Sequence, residues 1–247
     1  MSLKSNEKVA LVTGGARGIG ADIAKRLAAD GTTVVITYSA SKVKAEEVVD
    51  AITKAGGKAL SVQADSGKAA EVKAAVAKTI DVFGRLDVLV NNAGIAIGGT
   101  PDDYTEADFD RMVDVNIKGV FAGVQAALPH LKSGGRIINI GSCMSDYAAF
   151  PNMAVYTMTK SAVAGLTRGL ARDLAPRGIT INNVQPGPID TDMNPADGEF
   201  AQALKGTLPT GRYGTGSEVA ALVAFLAGAE SSYINGASIL VDGGLIA

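Results

Sequence analysis

The stretch Val9-Ala10-Leu11-Val12-Thr13-Gly14-Gly15-Ala16-Arg17-Gly18-Ile19-Gly20 runs from a short apolar segment, through a glycine-rich turn, into a sequence where Ile19, Ile23 and Leu27 recur every four residues. An apolar run of that length without polar alternation reads as a strand covered on both faces. The i,i+4 repeat reads as the buried stripe of a helix. Between them, glycines permit a tight turn and let the backbone approach a pyrophosphate seated on the helix N-terminus. The spacing is G-x-x-x-G-x-G rather than the commoner G-x-G-x-x-G.

The same alternation continues outward. Val9–Thr13, Thr33–Tyr38, Lys58–Gln63, Leu86–Asn91, Arg136–Ile140, Thr180–Gln185 and Ser238–Val241 read as strands, with amphipathic helical stretches between them. This order predicts an α/β fold: a Rossmann-type, doubly wound, parallel seven-stranded sheet with helices on both faces. No repeat, low-complexity tract or linker interrupts the chain, so residues 1–247 read as a single domain. One stretch is irregular: residues 186–216 hold Pro186, Pro188, Pro195 and Pro209 among several glycines, with a short helical piece at Glu199–Lys205. So long an interrupted connection reads as a lid or binding segment.

Composition excludes several classes. With 23 basic and 25 acidic residues the net charge is −2, and no basic block stands out. That argues against nucleic acid or an anionic membrane as partner. No segment reaches the roughly 18 apolar residues of a membrane span, and the polar start Met1–Lys8 does not read as a signal peptide. Cys143 is the only cysteine, which rules out an intrachain disulfide; a cytoplasmic location is expected. His130 is the only histidine and follows Pro129 where a helix ends, a position that suits it without chemistry. No metal site is expected.

The turn makes a nucleotide the expected ligand, and the second strand bears on which one. A NAD site usually carries an acidic residue about 20 positions after the turn, bonded to a ribose hydroxyl. Here the strand ends Thr37-Tyr38-Ser39-Ala40-Ser41-Lys42, without a carboxylate. Arg17, with Ser41 and Lys42, can instead hold a 2′-phosphate, which favours NADP over NAD. Ser41 can equally cap the next helix. Asp65 after the third strand can accept a bond from the adenine amino group, or cap the helix that follows.

Tyr156 and Lys160 stand four residues apart in Val155-Tyr-Thr-Met-Thr-Lys160. On a helix they share a face, where an ammonium beside a phenol is expected to lower the tyrosine pKa and make a proton donor and acceptor for a carbonyl or alcohol oxygen.

Thr13–Gly20, Asn91-Asn92-Ala93-Gly94, Asn116, Ser142, Tyr156, Lys160 and Pro186-Gly187, in this order, closely resemble the short-chain dehydrogenase/reductase family over essentially the whole chain. Within it, the branch that includes 3-oxoacyl-carrier-protein reductases and many NADP-linked sugar or polyol dehydrogenases is the most similar. The resemblance implies a catalytic set. Tyr156 would be the general acid or base, and Lys160 would lower its pKa and bond the nicotinamide ribose. Ser142 would hold the substrate oxygen, and Asn116, inside a helix through Met112–Lys118, a water linking Lys160 to solvent. The implied cofactor contacts are Gly14, Ala16, Arg17, Gly18, Ile19 and Gly20 in the turn; Ser39, Ser41, Lys42 and Asp65 near the adenosine; Asn92, Ala93 and Gly94 after the fourth strand; Tyr156 and Lys160; and Pro186, Gly187, Ile189 and Thr191 after the sixth strand. Asn91 would brace the sheet or the cofactor-side backbone. A homotetramer and a small carbonyl or alcohol substrate are implied as well.

The chain also departs from the pattern. Ser142 lies fourteen residues before Tyr156, where thirteen is commoner in the family, so the loop Met144–Val155 is longer by one. Cys143 holds the usual place and reads as a packed residue; Ser145 is a weaker rival to Ser142. Arg177 matches a basic position associated with carrier-protein docking, but Ser133 stands where another is expected, with Lys132 adjacent. Met144, Tyr147, Phe150, Met153, Met193, Phe200 and Leu204 suggest an apolar substrate pocket. A protein that binds nucleotide on this fold without catalysis is the rival reading.

Overall fold

A computed structural model describes residues 7–247, with Glu199 and Phe200 described by backbone alone. Seven strands form one parallel sheet: β1 (Val9–Val12), β2 (Thr33–Tyr38), β3 (Ala59–Gln63), β4 (Val88–Asn91), β5 (Arg136–Ile140), β6 (Thr180–Pro186) and, last in the chain, β9 (Ser238–Val241). Their order is β3-β2-β1-β4-β5-β6-β9. The order reverses between β1 and β4, and in such sheets the crevice beyond the carboxyl ends at that point is where ligands bind.

The continuous apolar strands follow from burial on both faces. Ala10 and Val12 of β1 join Val34 and Ile36 in the cluster under α1 (Gly18–Ala29), α2 (Lys42–Lys54) and α8 (Gly216–Ala227). Val9 and Leu11, pointing the other way, join Leu89 and Ile137 under α3 (Ala69–Phe83), α5 (Gly119–Ala127) and α6 (Ala154–Leu174). Polar residues inside the sheet are tied to one another. Asn91 Nδ2 donates to Asn139 Oδ1 across the β4–β5 register at 2.9 Å, and Asn139 Nδ2 donates to Thr167 Oγ1 on α6 at 2.9 Å. Asn91 does brace the sheet.

Three local features differ from the expectations. The ends of four strands, β1, β3, β4 and β6, shift by one or two residues. The segment 186–216 contains not only α7 (Glu199–Lys205), where a helical piece was expected, but also a second, two-stranded parallel sheet, β7 (Ile189–Asp190) with β8 (Gly214–Thr215). Each strand is two residues long, too short to show a period in sequence. The helix expected through Met112–Lys118 is α4 (Glu106–Val113) followed by a π-helical turn, Asp114–Lys118; such turns often mark functional sites. Among the described residues no helix is long and apolar enough to cross a membrane.

Candidate active site

A cleft of about 690 Å³ opens at the carboxyl ends of the strands. Its phosphate end is the turn between β1 and α1. Gly14 (φ 65°) and Gly18 (φ 52°) have left-handed backbones that favour glycine. Gly20 is required by space: a Cβ there would lie 2.4 Å from both Asn92 Nδ2 and the Gly14 carbonyl oxygen. The turn is pinned from β4. Asn92 Nδ2 donates to the carbonyls of Thr13 (2.9 Å) and Gly14 (3.1 Å), while Thr13 Oγ1 accepts from the backbone of Asn92 (3.0 Å) and Ala93 (3.1 Å). Thr37 Oγ1 accepts from the Gly14 N–H at 3.1 Å. No side chain caps the N-terminus of α1 and no acidic residue lies in its first turn, so the helix end offers N–H groups and a positive dipole to an anion. A pyrophosphate fits this cradle.

The adenosine end holds Arg17, Ser39, Ser41 and Asp65. Arg17 is exposed. Ser41 stands at the N-cap of α2 but makes no side-chain cap bond, so its hydroxyl is not spent on the helix. Asp65 does not cap α3, whose N-cap is Lys68; it accepts from the Gly67 N–H and from Arg111. The Arg111 hydrogen bond is the main reason its carboxyl is held below the usual range. Lys42, expected with these residues, stands apart from them. It does not line the cleft; one turn along α2 it meets Glu46 at 3.6 Å. Lys44, two residues on, instead pairs with Asp192 of the segment after β7.

The third part of the cleft gathers Ser142, Tyr156 and Lys160. Ser142 is buried at the end of β5, its Oγ accepting from the Met144 N–H at 3.2 Å, which leaves the hydroxyl proton to be donated. Lys160 is buried in α6, donates to the Ile140 carbonyl at 2.9 Å, and lies 5.6 Å from the centroid of the Tyr156 ring. Asn116, on the π turn, stands behind this wall rather than in it. Its Oδ1 accepts from the Ile95 N–H (2.9 Å), and its Nδ2 donates to the Ile95 carbonyl (2.9 Å) and to Thr159 Oγ1 (3.1 Å). The Asn116 side chain clamps the β4 loop to α6. Ala93, Gly94, Pro186, Gly187, Ile189 and Thr191 line the cleft between its ends. Ser145 does not reach it, and Cys143 is a buried thiol whose pKa burial pushes up to about 11. His130 follows the last turn of α5, donating from its backbone to Ala127.

Electrostatics run against one expectation. The protein around the Tyr156 hydroxyl is dense enough that burial raises its pKa above the ordinary phenol value; a hydrogen bond from Ser142 pulls the other way, and Cys143 adds to the rise. Lys160 does not win because burial acts on it too, lowering its pKa to about 8. Burial therefore favours the neutral form of both groups. For the lysine this carries a stability cost. Below pH 8 both folded and unfolded chains hold the proton and the full burial penalty, roughly 3 kcal/mol for the drop from 10.5 to about 8, applies. Between pH 8 and 10.5 the unfolded chain binds the proton that the folded chain has released, so stability rises with pH. Lys160→Met is accordingly expected to be inactive yet at least as stable as the wild type at pH 7, with the gap closing as pH passes 10. Urea unfolding of both proteins across that range measures it.

The apolar side of the cleft is formed by Met144, Phe150, Met153, Met193 and Leu204. Tyr147, expected among them, is solvent-exposed and outside the cleft, and the Phe200 side chain lies outside the described residues. Arg111, Thr37 and Asp192 were not singled out in sequence: each works through a partner distant along the chain, and only the i,i+4 position of Arg111 before Val115 hints that it shares a face with the cleft.

A family model described as enoyl-(acyl carrier protein) reductase matches residues 14–246. The 3-oxoacyl-[acyl-carrier-protein] reductase FabG of Staphylococcus aureus is 43% identical over 241 residues, covering 96% of this chain and 98% of that protein. A short-chain dehydrogenase/reductase from Serratia marcescens has a TM-score of 0.95 at 53% identity, covering 97% of this chain and 98% of its own. A short-chain dehydrogenase from Burkholderia cenocepacia, solved in complex with NADP, has the same TM-score at 50% identity, again covering 97% and 98%.

Proposed function

This chain belongs to the short-chain dehydrogenase/reductase family of NAD(P)-linked oxidoreductases acting on CH–OH groups, and from that membership we propose that it interconverts a secondary alcohol and a ketone with NADP(H), using Tyr156, Lys160, Ser142 and Asn116. The observation that most supports this is the meeting of Ser142, Tyr156 and Lys160 in one cleft with an uncapped helix N-terminus. When bound, the cofactor supplies or takes up the hydride. The chain supplies the proton and the orientation. In reduction, Tyr156 gives its phenolic proton to the carbonyl oxygen, which Ser142 holds by hydrogen bonding as charge develops on it. The raised phenol pKa keeps that proton on Tyr156 until it is needed. The resulting phenolate is stabilised by the Lys160 ammonium, whose own pKa near 8 lets it exchange a proton at working pH. Oxidation runs the same transfers backwards. Asn116 acts through position, fixing Ile95 and the α6 residue Thr159 beside the tyrosine.

Arg17, Ser39 and Ser41, with no carboxylate at the end of β2, favour the 2′-phosphate of NADP. On the substrate side, Met144, Phe150, Met153, Met193 and Leu204 give the cleft an apolar wall beside Tyr156, which favours a neutral, apolar ketone over a keto acid. Arg177 donates to the Leu128 carbonyl, which weighs against its serving a carrier protein. Residues 186–216 act as the substrate lid. A cytoplasmic homotetramer accompanies this reading: Phe225 on α8 and Leu240 on the edge strand β9 are apolar and exposed, at 42% and 41%. A stable monomer in light scattering at micromolar concentration would overturn the tetramer. Against the rival, a nucleotide-binding protein without turnover, stands the presence of Ser142, Tyr156 and Lys160 together in the cleft.

The experiment is NADPH consumption with a panel of apolar ketones and diketones, keto acids and carrier-bound 3-oxoacyl thioesters. Faster turnover of the neutral apolar ketones is expected. No consumption with any carbonyl, or preference for the keto acids, sinks the reading.

A further inference from the structure

Asp65 stands at the adenosine end of the cleft immediately beyond β3. Its Oδ1 accepts from the Gly67 N–H at 2.9 Å and from Arg111 Nη2 at 3.0 Å; its Oδ2 accepts from Arg111 Nη1 at 3.2 Å. A carboxylate offers about four lone-pair sites. Three are taken here, and the one left is on Oδ2. We propose that Arg111 is a positioning residue that fixes Asp65 so that this remaining lone pair accepts the exocyclic amine of an adenine, making the cleft selective for adenine over its 6-oxo counterpart. The proposal rests on the reading that the cleft holds NADP(H).

The geometry around the pair is built for fixity. Arg111 comes from α4, 46 residues along the chain, and its planar fork grips both carboxylate oxygens, setting rotation as well as position. The loop carrying Asp65 is seated flush on α4 and the turn after it. At Gly67 a Cβ would lie 2.1 Å from Arg111 Nη1, and at Gly119 a Cβ would lie 2.1 Å from the Ser66 carbonyl oxygen. A side chain at Gly119 would lift the loop away, and one at Gly67 would push the Arg111 fork out of place. Glu71 holds the same loop from its other side, accepting from the Asp65 backbone N–H at 2.7 Å. An adenine amine would meet an acceptor oriented towards it. A hypoxanthine ring presents a carbonyl oxygen at that position, which the Asp65 carboxylate repels. Without Arg111 only the Gly67 N–H holds the carboxylate, through Oδ1 alone, so Oδ2 is no longer aimed and the distinction weakens.

The test is binding rather than turnover. The protein is titrated with NADPH, with its hypoxanthine counterpart and with NADH, following the fluorescence of the bound nicotinamide. The wild type should bind NADPH about tenfold more tightly than the hypoxanthine analogue, the scale of one partly exposed hydrogen bond to a charged group. Arg111→Gln should cut that ratio to about twofold or less while the NADPH/NADH ratio, which reads the 2′-phosphate, stays within about twofold. Arg111→Lys, which keeps the charge but not the fork, should fall between. Asp65→Asn with Arg111 intact should also remove the preference for adenine. An Arg111→Gln protein that keeps the tenfold preference overturns the proposal, as does one that loses both ratios together, since that is general damage to the cleft. A wild type that binds none of the three overturns the cofactor reading and this proposal with it.

Discussion

Replacing Tyr156 by Phe is expected to cut turnover by roughly 10²- to 10⁴-fold, the range of a positioned general acid, while NADPH binds within about twofold of wild type. Phenylalanine keeps the ring volume and its packing beneath Lys160, so the cleft retains its shape. What goes is the phenolic proton that the proposed mechanism passes to the carbonyl oxygen held by Ser142. The remaining donor, the Lys160 ammonium, hydrogen-bonds the Ile140 carbonyl and stands 5.6 Å from the ring centroid, so it is a poor substitute. Single-turnover reduction, alongside a fluorescence titration of NADPH, separates the two effects. A variant that keeps more than about a tenth of wild-type turnover would remove Tyr156 from its assigned role. Weakened cofactor binding with unchanged chemistry would reassign it to nucleotide contact.

Gly20→Ala should be the most damaging single-methyl change in the phosphate turn. The added carbon would sit 2.4 Å from Asn92 Nδ2 and from the Gly14 carbonyl oxygen, and neither can step aside cheaply. Asn92 Nδ2 is already bonded to the carbonyls of Thr13 and Gly14, so moving it unpins the turn from β4. Overpacking of this kind costs about 1–3 kcal/mol, and with the lost hydrogen bonds a melting midpoint lower by roughly 5–10 °C is expected. NADPH affinity should fall by at least about tenfold, because the N–H groups of the turn lose their common aim. Gly169→Ala is the matched control. It lies in α6 with no atom within 4 Å of the added carbon, and exchanging glycine for alanine inside a helix should stabilise by about 0.5–1 kcal/mol. Equal effects of the two substitutions would show that crowding at the turn is not what decides.

The sheet was legible because covering both faces leaves β1, β2 and β4 almost no solvent side, so each is mostly apolar without alternation. The glycine turn was legible because φ and space at Gly14, Gly18 and Gly20 leave few other residues possible. Tyr156 and Lys160 were legible by their shared helix face. What escaped depends on neighbours that are remote in sequence. Lys42 and Lys44 look alike on paper, yet the helix turns the first toward Glu46 and the second toward Asp192. The expected fall in the Tyr156 pKa came from counting charges; burial, which the sequence does not display, acts on phenol and ammonium together and reverses the direction. Asn116 was found by motif, but the π turn beneath it was not, since it adds no residue type that a helix would refuse.

The segment 186–216 has a small apolar cluster of its own. Ala201, Leu204, Leu208 and Tyr213 pack with Phe150 from the loop before α6 and with Leu245 close to the carboxyl terminus. Three stretches far apart in sequence are thereby joined into one body over the apolar end of the cleft, separate from the two clusters that hold the sheet. For anyone exchanging parts between relatives, these stretches form an indivisible module. Transplanting one alone leaves mismatched halves of a buried cluster, whereas moving all three together keeps that cluster whole.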